Sequence, residues 1–223
     1  MRRVFVLLAF GAVSFSLLAP QRINAQAAVG VRAGLNLATF GGSDLSPQGH
    51  HTRYNRHGAV NVGAFLGFPL SGRFELQIGA GYSGKGAEVA FSLDGGETVS
   101  GTGETRIGYL EIPALMKFRL TPGRRVSTHL LAGPSVSFRV SCESVTDAPI
   151  WGGQQKCADA GLDVRETDFG VTGGVGAEFE LPNGLILVGE SLYSVGLRTV
   201  GESGDGVKNR AFSLSLGVAY PIG

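Results

Sequence analysis

Apolar and polar residues alternate along eight segments of the chain between Val29 and Tyr220. In the second segment, alternate residues from Val60 to Leu70 are all apolar, while Asn61 and two glycines lie among the residues between them. Successive side chains of a β-strand point to opposite faces, so a period of two residues is typical of a strand with one apolar face. The pattern therefore predicts eight β-strands.

The connections between these segments alternate in length. Short turn sequences occupy 71–72, 121–124 and 182–184, and long connections cover 40–58, 91–105, 141–166 and 199–208. Membrane-spanning barrels place short turns at one end and long loops at the other. We predict an all-β fold, an eight-stranded antiparallel up-and-down transmembrane β-barrel.

The two faces of the predicted strands differ in side-chain size and charge. One face carries large apolar residues and almost no charge, whereas glycine and serine dominate the other. An eight-stranded barrel has a narrow interior, and a membrane barrel turns its apolar face to lipid. The pattern favours a membrane barrel over the alternative, a soluble periplasmic ligand-binding barrel.

The first 25 residues have the composition of a secretion signal. Two arginines precede an apolar run from Val4 to Ala19, and Ala25 is the small residue that a signal peptidase requires. We predict a signal peptide over 1–25 and an outer-membrane β-barrel domain over 26–223. An even number of strands then places both termini in the periplasm.

The charge balance argues against a nucleic-acid partner. The chain has 19 Lys+Arg and 18 Asp+Glu, and loss of the three arginines in the signal leaves 16 against 18. A net charge this close to zero offers no basic surface for a phosphate backbone. The glycine-rich stretch 79–86 lacks the Ser or Thr that a phosphate-binding loop needs after Lys85, so no cofactor is predicted.

Ten charged residues fall on the polar face of the predicted strands, five acidic and five basic. They are Glu75, Lys85, Glu111, Lys117, Arg119, Arg139, Glu178, Glu180, Glu190 and Arg198. Unpaired charges in a narrow lumen are costly, so we expect an ion-pair network that plugs the barrel. The alternative is a narrow channel or transporter for a small solute, lined by the same groups.

Cys142 and Cys157, the only cysteines, lie in the third long connection. Disulfides persist in exported proteins, and an even number of cysteines is typical of them. We predict a Cys142–Cys157 disulfide that closes a surface loop.

The first long connection contains a basic, histidine-rich group. Its members are His50, His51, Arg53, Arg56 and His57. We interpret the group as a possible surface-binding loop for the acidic sugars or phosphates of lipopolysaccharide. A metal site is the weaker interpretation, because the histidine spacing does not fit a regular strand or helix.

His129 lies near Ser127 and Ser135 on the polar face, which raises the alternative of a lipid-modifying outer-membrane enzyme. Such an enzyme needs a nucleophile, a base and an orienting acid in contact. The alternation points His129 into the lumen, away from lipid. We therefore predict an interior histidine and no catalytic site.

Five short motifs are spread over most of the chain. They are Val29–Asn36, Tyr109–Pro113, Leu131–Pro134, Asp168–Gly170 and Gly173–Gly176. Their order and spacing resemble the outer-membrane β-barrel family typified by PorT-like proteins, which is related in architecture to the OmpX and OmpA barrels. The resemblance implies an eight-stranded barrel in a Gram-negative-type outer membrane, without an implied activity. Many such barrels end on an aromatic residue, whereas three residues follow Tyr220.

The predicted function is that of an integral outer-membrane protein with a structural or surface-interaction role. Expected partners are outer-membrane lipid, lipopolysaccharide and the barrel-assembly machinery. Because loops on a rigid scaffold commonly carry binding residues, we also expect an extracellular partner to bind the long loops.

Overall fold

The computed structural model describes residues 26–41, 53–94, 98–147, 153–201 and 206–222. The predicted signal peptide and the loop histidines His50 and His51 lie outside the described residues. The strands are β1 (Ala27–Gly41), β2 (Arg53–Asn55), β3 (His57–Pro69), β4 (Phe74–Asp94), β5 (Thr98–Arg119), β6 (Val126–Asp147), β7 (Gly153–Lys156), β8 (Thr167–Glu180), β9 (Ile186–Gly196) and β10 (Lys208–Ile222). This part of the chain contains no helix long and apolar enough to cross a membrane.

Eight strands pair in a closed antiparallel ring. The ring order is β1, β3, β4, β5, β6, β8, β9 and β10. The ring closes because β10 also pairs with β1, from Ala27 opposite Ile222 to Gly41 opposite Lys208. The short strands β2 and β7 pair with the far parts of β4 and β6. The predicted eight-stranded, up-and-down antiparallel fold is confirmed.

One end of the ring, the turn end, holds the short turns and both ends of the described chain. In the turn after β8, the amide of Gly184 donates a hydrogen bond of 3.0 Å to the carbonyl of Leu181, and Gly184 has a φ of 82°. Glycine adopts this left-handed conformation at little cost, which suits a tight reversal. The longer connections lie at the opposite end, the hairpin end.

Most large apolar side chains of the ring point away from its axis, and charged side chains such as Lys117 and Glu190 point inward. Leu216 keeps 74% and Val31 keeps 56% of its surface exposed, whereas Lys117 keeps 1% and Glu190 keeps 2%. A water-soluble antiparallel sheet packs its apolar face inward and solvates its polar face. The ring has the opposite arrangement, as the alternation predicts for a barrel in lipid.

Aromatic side chains form two bands on the outer surface. The band near the turn end contains Phe68, Phe74, Phe118, Phe179 and Tyr220, and the second band contains Tyr82, Phe138, Phe169 and Phe212. Eight residues separate Phe74 from Tyr82 along β4, and ten separate Phe169 from Phe179 along β8. Tilted strands cross a bilayer in about 9–11 residues, so the bands fit the two edges of a lipid-facing belt.

The strands at the hairpin end are longer than predicted, and the boundaries of the long connections need correction. β4 and β5 remain paired up to Asp94 and Thr98, inside the span 91–105 predicted as a loop. His57 belongs to β3 instead of the first connection, and β6 runs to Asp147 inside the third. The apolar residues of β4 alternate as far as Leu93, but residues 98–106 of β5 are mostly small or polar and show no clear period, so backbone pairing continues where the sequence of β5 resembles a loop.

We expect Leu216→Arg to lower the free energy of unfolding in lipid by about 2–4 kcal/mol, because Leu216 lies midway between the aromatic positions Phe212 and Tyr220 of β10. The measurement is a urea titration of the chain refolded into lipid vesicles. Ile222→Arg, beyond Tyr220, is the matched control and should cost about 1 kcal/mol or less. Equal costs at the two positions would contradict the lipid-facing assignment.

Candidate functional site

Four charged side chains meet inside the ring near the turn end. The Lys117 ammonium lies 2.9 Å from Oε1 of Glu75 and 2.6 Å from Oε1 of Glu178. The Arg119 guanidinium contacts Glu75 and lies 3.7 Å from Oε2 of Glu178. Register places Glu75 directly opposite Lys117 on neighbouring strands. These four residues, called the turn-end cluster, contain two acids and two bases and balance their charges.

A second ion pair crosses the middle of the lumen. Nη1 of Arg32 on β1 lies 2.5 Å from Oε2 of Glu190 on β9, and the Gln77 amide donates to Oε1 of Glu190 at 3.4 Å. The Arg32 guanidinium also lies 5.7 Å from the ring centroid of Phe65. The predicted network omits Arg32. Arg32 lies on the polar face of β1 between two glycines, and this position in the sequence would have justified adding it to the predicted network.

A third ion pair lies toward the hairpin end, where Nζ of Lys85 is 2.8 Å from Oε2 of Glu111. A polar group adjoins it. The Asn36 amide donates to the carbonyl of Gly84 at 2.8 Å, and the Asn61 amide donates to Oδ1 of Asn36 at 2.8 Å. Asn36 and Asn61, with Arg32 and Glu111, line a cavity of about 70 Å³. The cavity is too small for a solute much larger than a few water molecules.

Apolar side chains fill the lumen between the charged groups. One set is Phe65, Val188 and Ala219, with Ile186 packed against it, and the other is Leu115, Leu131 and Leu192. The sequence of β9 breaks the clean alternation because three of these apolar residues lie on its inward face. Packing inside the ring is therefore part apolar and part ionic.

A disulfide-linked apolar cluster, called the cap, lies at the hairpin end. Cys142 of β6 and Cys157 after β7 form a disulfide, with Cα atoms 5.4 Å apart. The buried members of the cap are Ile107, Tyr109, Cys142, Cys157, Val164 and Val200. Below it, the Asn209 amide donates to Oδ2 of Asp168 at 2.9 Å and to the Tyr109 hydroxyl at 3.2 Å.

Three of the ten predicted lumen charges take part in none of the ion pairs among the described residues, and two of the three, Glu180 and Arg198, are exposed instead of buried in the lumen. Glu180 is exposed at the end of β8, by the mouth of the turn end. Arg198 is exposed beyond β9, and its guanidinium lies 5.7 Å from the outward-facing Phe169 ring. Arg139 is half-buried beside a register irregularity of β6 and forms no ion pair with any described residue. The alternation fails at strand ends and bulges because regular pleating stops there.

His129 is buried in the lumen, with 1% of its surface exposed. Among the described residues, neither ring nitrogen has a hydrogen-bond partner, and neither Ser127 nor Ser135 pairs with it. A hydrolytic site needs a nucleophile within hydrogen-bond reach of its base. The described residues do not form that arrangement around His129.

The predicted surface-binding group is only partly brought together. Arg53 lies on β2, Arg56 is exposed between β2 and β3, and His57 lies on β3. Nδ1 of His57 is 2.5 Å from Oε1 of Glu104 on β5, and Arg106 donates to Oε2 of Glu104 at 2.6 Å. The Arg106 hydrogen bond lowers the pKa of Glu104, against the opposing effect of partial burial. Sequence reasoning missed Glu104, which falls in the span 91–105 predicted as a loop, and Arg106, which directly follows that span.

The closed ring, outward apolar belt and charged interior define an outer-membrane type of β-barrel. The family model described as "Outer membrane protein beta-barrel domain" matches residues 20–200, and the chain belongs to this family. It is an outer-membrane, transmembrane β-barrel protein. No curated protein matches the chain.

Several solved structures of outer-membrane proteins are similar to the chain. Neisserial surface protein A is 14% identical, with 87% of this chain and 99% of that chain covered and a TM-score of 0.46. OprG of Pseudomonas aeruginosa is 9% identical, with 88% and 97% covered and a TM-score of 0.49. The outer membrane protease OmpT of Escherichia coli is 9% identical, with 88% and 97% covered and a TM-score of 0.47.

We expect Lys117→Met to lower the free energy of unfolding by about 3–5 kcal/mol, because it leaves Glu75 and Glu178 as adjacent buried carboxylates. Urea titration in vesicles measures the change. The double variant Lys117→Met, Glu178→Gln keeps the Glu75–Arg119 pair, restores the charge balance of the cluster and should recover most of the loss. A double variant less stable than Lys117→Met would contradict this account of the turn-end cluster.

Reduction of the Cys142–Cys157 disulfide should lower the free energy of unfolding by about 3 kcal/mol, given a sequence separation of 15 residues. The urea midpoint with and without a thiol reductant measures the effect. In the control variant Cys142→Ser, Cys157→Ser, the midpoint should not respond to reductant. A wild-type urea midpoint that also does not respond to reductant would show that the disulfide does not stabilise the cap.

Proposed function

We propose that this protein is a plugged outer-membrane barrel that presents a structural or binding surface outside the cell and does not conduct solutes. The observation that supports the proposal is the series of three ion-pair groups across the lumen, formed around Glu75, around Arg32 and Glu190, and around Lys85. Each charged group of the turn-end cluster and of the two other ion pairs has at least one partner of opposite charge, so opening a path requires breaking buried ion pairs.

The orientation follows from the same proposal. Both ends of the described chain lie at the turn end, and a predicted signal peptide precedes β1. We place the turn end and both termini in the periplasm and the hairpin end outside, as membrane barrels usually do. The motifs quoted above support a PorT-like relationship within the family.

The extension of β4 and β5 supports a surface role. From Tyr82 to Asp94 the strand continues for twelve residues past the second aromatic band, or about 40 Å along its length. Strand pairing holds this extension in shape, with β2 alongside β4 and β7 alongside β6. A preorganised surface loses less conformational entropy on binding than a free loop does. We propose lipopolysaccharide or an extracellular partner as its ligand.

Planar-bilayer recording is the direct test, and we expect the wild-type chain to show no steady single-channel steps. The variant Arg32→Ala, Glu190→Ala removes the middle ion pair without changing the net charge and should increase conductance. The control variant Arg106→Ala, Glu143→Ala makes the same charge change outside the lumen and should remain silent. Steady steps from the wild-type chain would reject the plug and favour a narrow channel.

Two other interpretations have their own measurements. A lipid-modifying enzyme would alter the lipid A mass spectrum when the chain is expressed, and we expect no alteration. A soluble periplasmic barrel would be recovered without detergent, whereas a membrane barrel should remain with the outer membrane and migrate differently on gels before and after boiling.

A further inference from the structure

A compact group of potential metal ligands lies on the extension at the hairpin end, apart from the lumen. It consists of His57 on β3, Glu88 on β4 and Glu104 on β5. One nitrogen or oxygen atom from each residue lies within 4.8 Å of the other two. Among the residues that the structure describes, no other His, Cys, Asp and Glu side chains form such a group.

The backbone brings two like charges face to face in this group. Glu88 and Glu104 are directly opposite partners in the antiparallel pairing of β4 with β5. Like charges at directly opposite positions destabilise a sheet, yet the pairing continues through them to Asp94 and Thr98. Arg106 partly compensates Glu104, but Glu88 has no ion-pair partner in the described part of the chain. A cation bound near Glu88 would therefore reduce the repulsion between the two carboxylates.

The surroundings orient one carboxylate toward the imidazole. Arg106 binds Oε2 of Glu104 at 2.6 Å, which leaves Oε1 facing Nδ1 of His57 at 2.5 Å. Hydrogen bonds from neighbouring residues commonly orient metal-binding carboxylates in this way. Arg106 is a positioning residue in this arrangement, since it holds Glu104 without contributing a ligand atom.

Strand pairing fixes the backbone of all three residues. His57 is opposite Ala38 of β1, Glu88 is opposite Asn55 of β2, and Glu88 also faces Glu104. Glu88 is exposed and the other two side chains are half-buried, so the group is open to solvent. A small cation can therefore reach it without opening the sheet.

We propose that His57, Glu88 and Glu104 bind one divalent transition-metal ion, with zinc as the best match. Zinc takes imidazole nitrogen and carboxylate oxygen at about 2.0–2.2 Å and accepts three protein ligands with an open fourth position. Calcium prefers six to eight oxygen ligands, which this group does not provide. The proposal is independent of whether the lumen is plugged.

Zn²⁺ titration of the full chain, purified in detergent without a polyhistidine tag, is the test. A competing chromophoric chelator reports the affinity, and Co²⁺ in place of Zn²⁺ reports coordination through its visible absorption. We expect one equivalent to bind. Glu88→Gln and Glu104→Gln should each weaken binding at least tenfold and reduce the Co²⁺ absorption.

Two control variants separate this site from other sources of binding. Glu143→Gln removes a carboxylate on β6 that accepts a hydrogen bond from Gln154, and it should leave binding unchanged. His50→Ala, His51→Ala should also retain one equivalent, because the proposed site does not include those histidines. Heat-modifiable gel migration checks that each variant is folded, and the exposed Glu88 makes Glu88→Gln the variant least disruptive to folding.

The proposal is overturned if the wild-type chain binds no zinc, or if Glu88→Gln binds it as tightly as the wild type. Loss of binding in His50→Ala, His51→Ala alone would also overturn it, since the loop histidines would then be the ligands. Selective loss in the Glu88 and Glu104 variants, with both controls intact, supports it.

Discussion

Closure of the sheet is the constraint on which the rest of the structure depends. In hydrocarbon, no water is available to backbone N–H and C=O groups, so a sheet that spans a membrane cannot keep an open edge. The pairing of β1 with β10, from Ala27–Ile222 to Gly41–Lys208, joins the first and last strands of the ring. Closure also fixes which face meets lipid, and that assignment explains the exposed Leu216 and the buried Lys117 together.

Closing only eight strands leaves a narrow interior, and the inward residues respond in two ways. Some are glycines that make room for a large neighbour. A Cβ atom added to Gly30 would lie 2.4 Å from the Phe65 ring, so the aromatic side chain depends on the glycine opposite it. Others are charges that must find partners, as Lys117 does between Glu75 and Glu178. Abundant glycine and internal ion pairs therefore follow from the same lack of space.

The sequence alone predicts the strands that cross the lipid belt, because a mostly polar lumen on one side and hydrocarbon on the other impose a period of two on most of them. It predicts less where that contrast is absent. Beyond the lipid belt, residues 98–106 of β5 are mostly small or polar, so this strand resembles a loop in sequence although it pairs with β4. Glu180 and Arg198 occupy positions that continue the inward face of their strands. They lie at or past the ends of those strands, where the alternation no longer determines which way a side chain points.

The sequence also does not show which charged residues, far apart along the chain, form ion pairs. Arg32 and Glu190 are separated by 158 positions and meet only because β10 lies between their strands in the closed ring. The candidate metal ligands have the same origin. The two-residue period of the strands could place Glu88 and Glu104 on the same face of one hairpin. The position of His57 cannot be predicted in this way, because β3 stops pairing with β4 at Asn61 and β2 pairs with the next part of β4.

The pairing of β3 and then β2 with successive parts of β4 favours a rigid surface at the hairpin end. β3 pairs with β4 from Pro69 to Asn61, and β2 pairs with β4 further along. On the other side, the disulfide and β7 hold the chain against β6. Groups carried on this extension therefore keep their relative positions without a bound partner. Binding there depends on geometry fixed by the sheet, and the lipid belt below anchors that geometry.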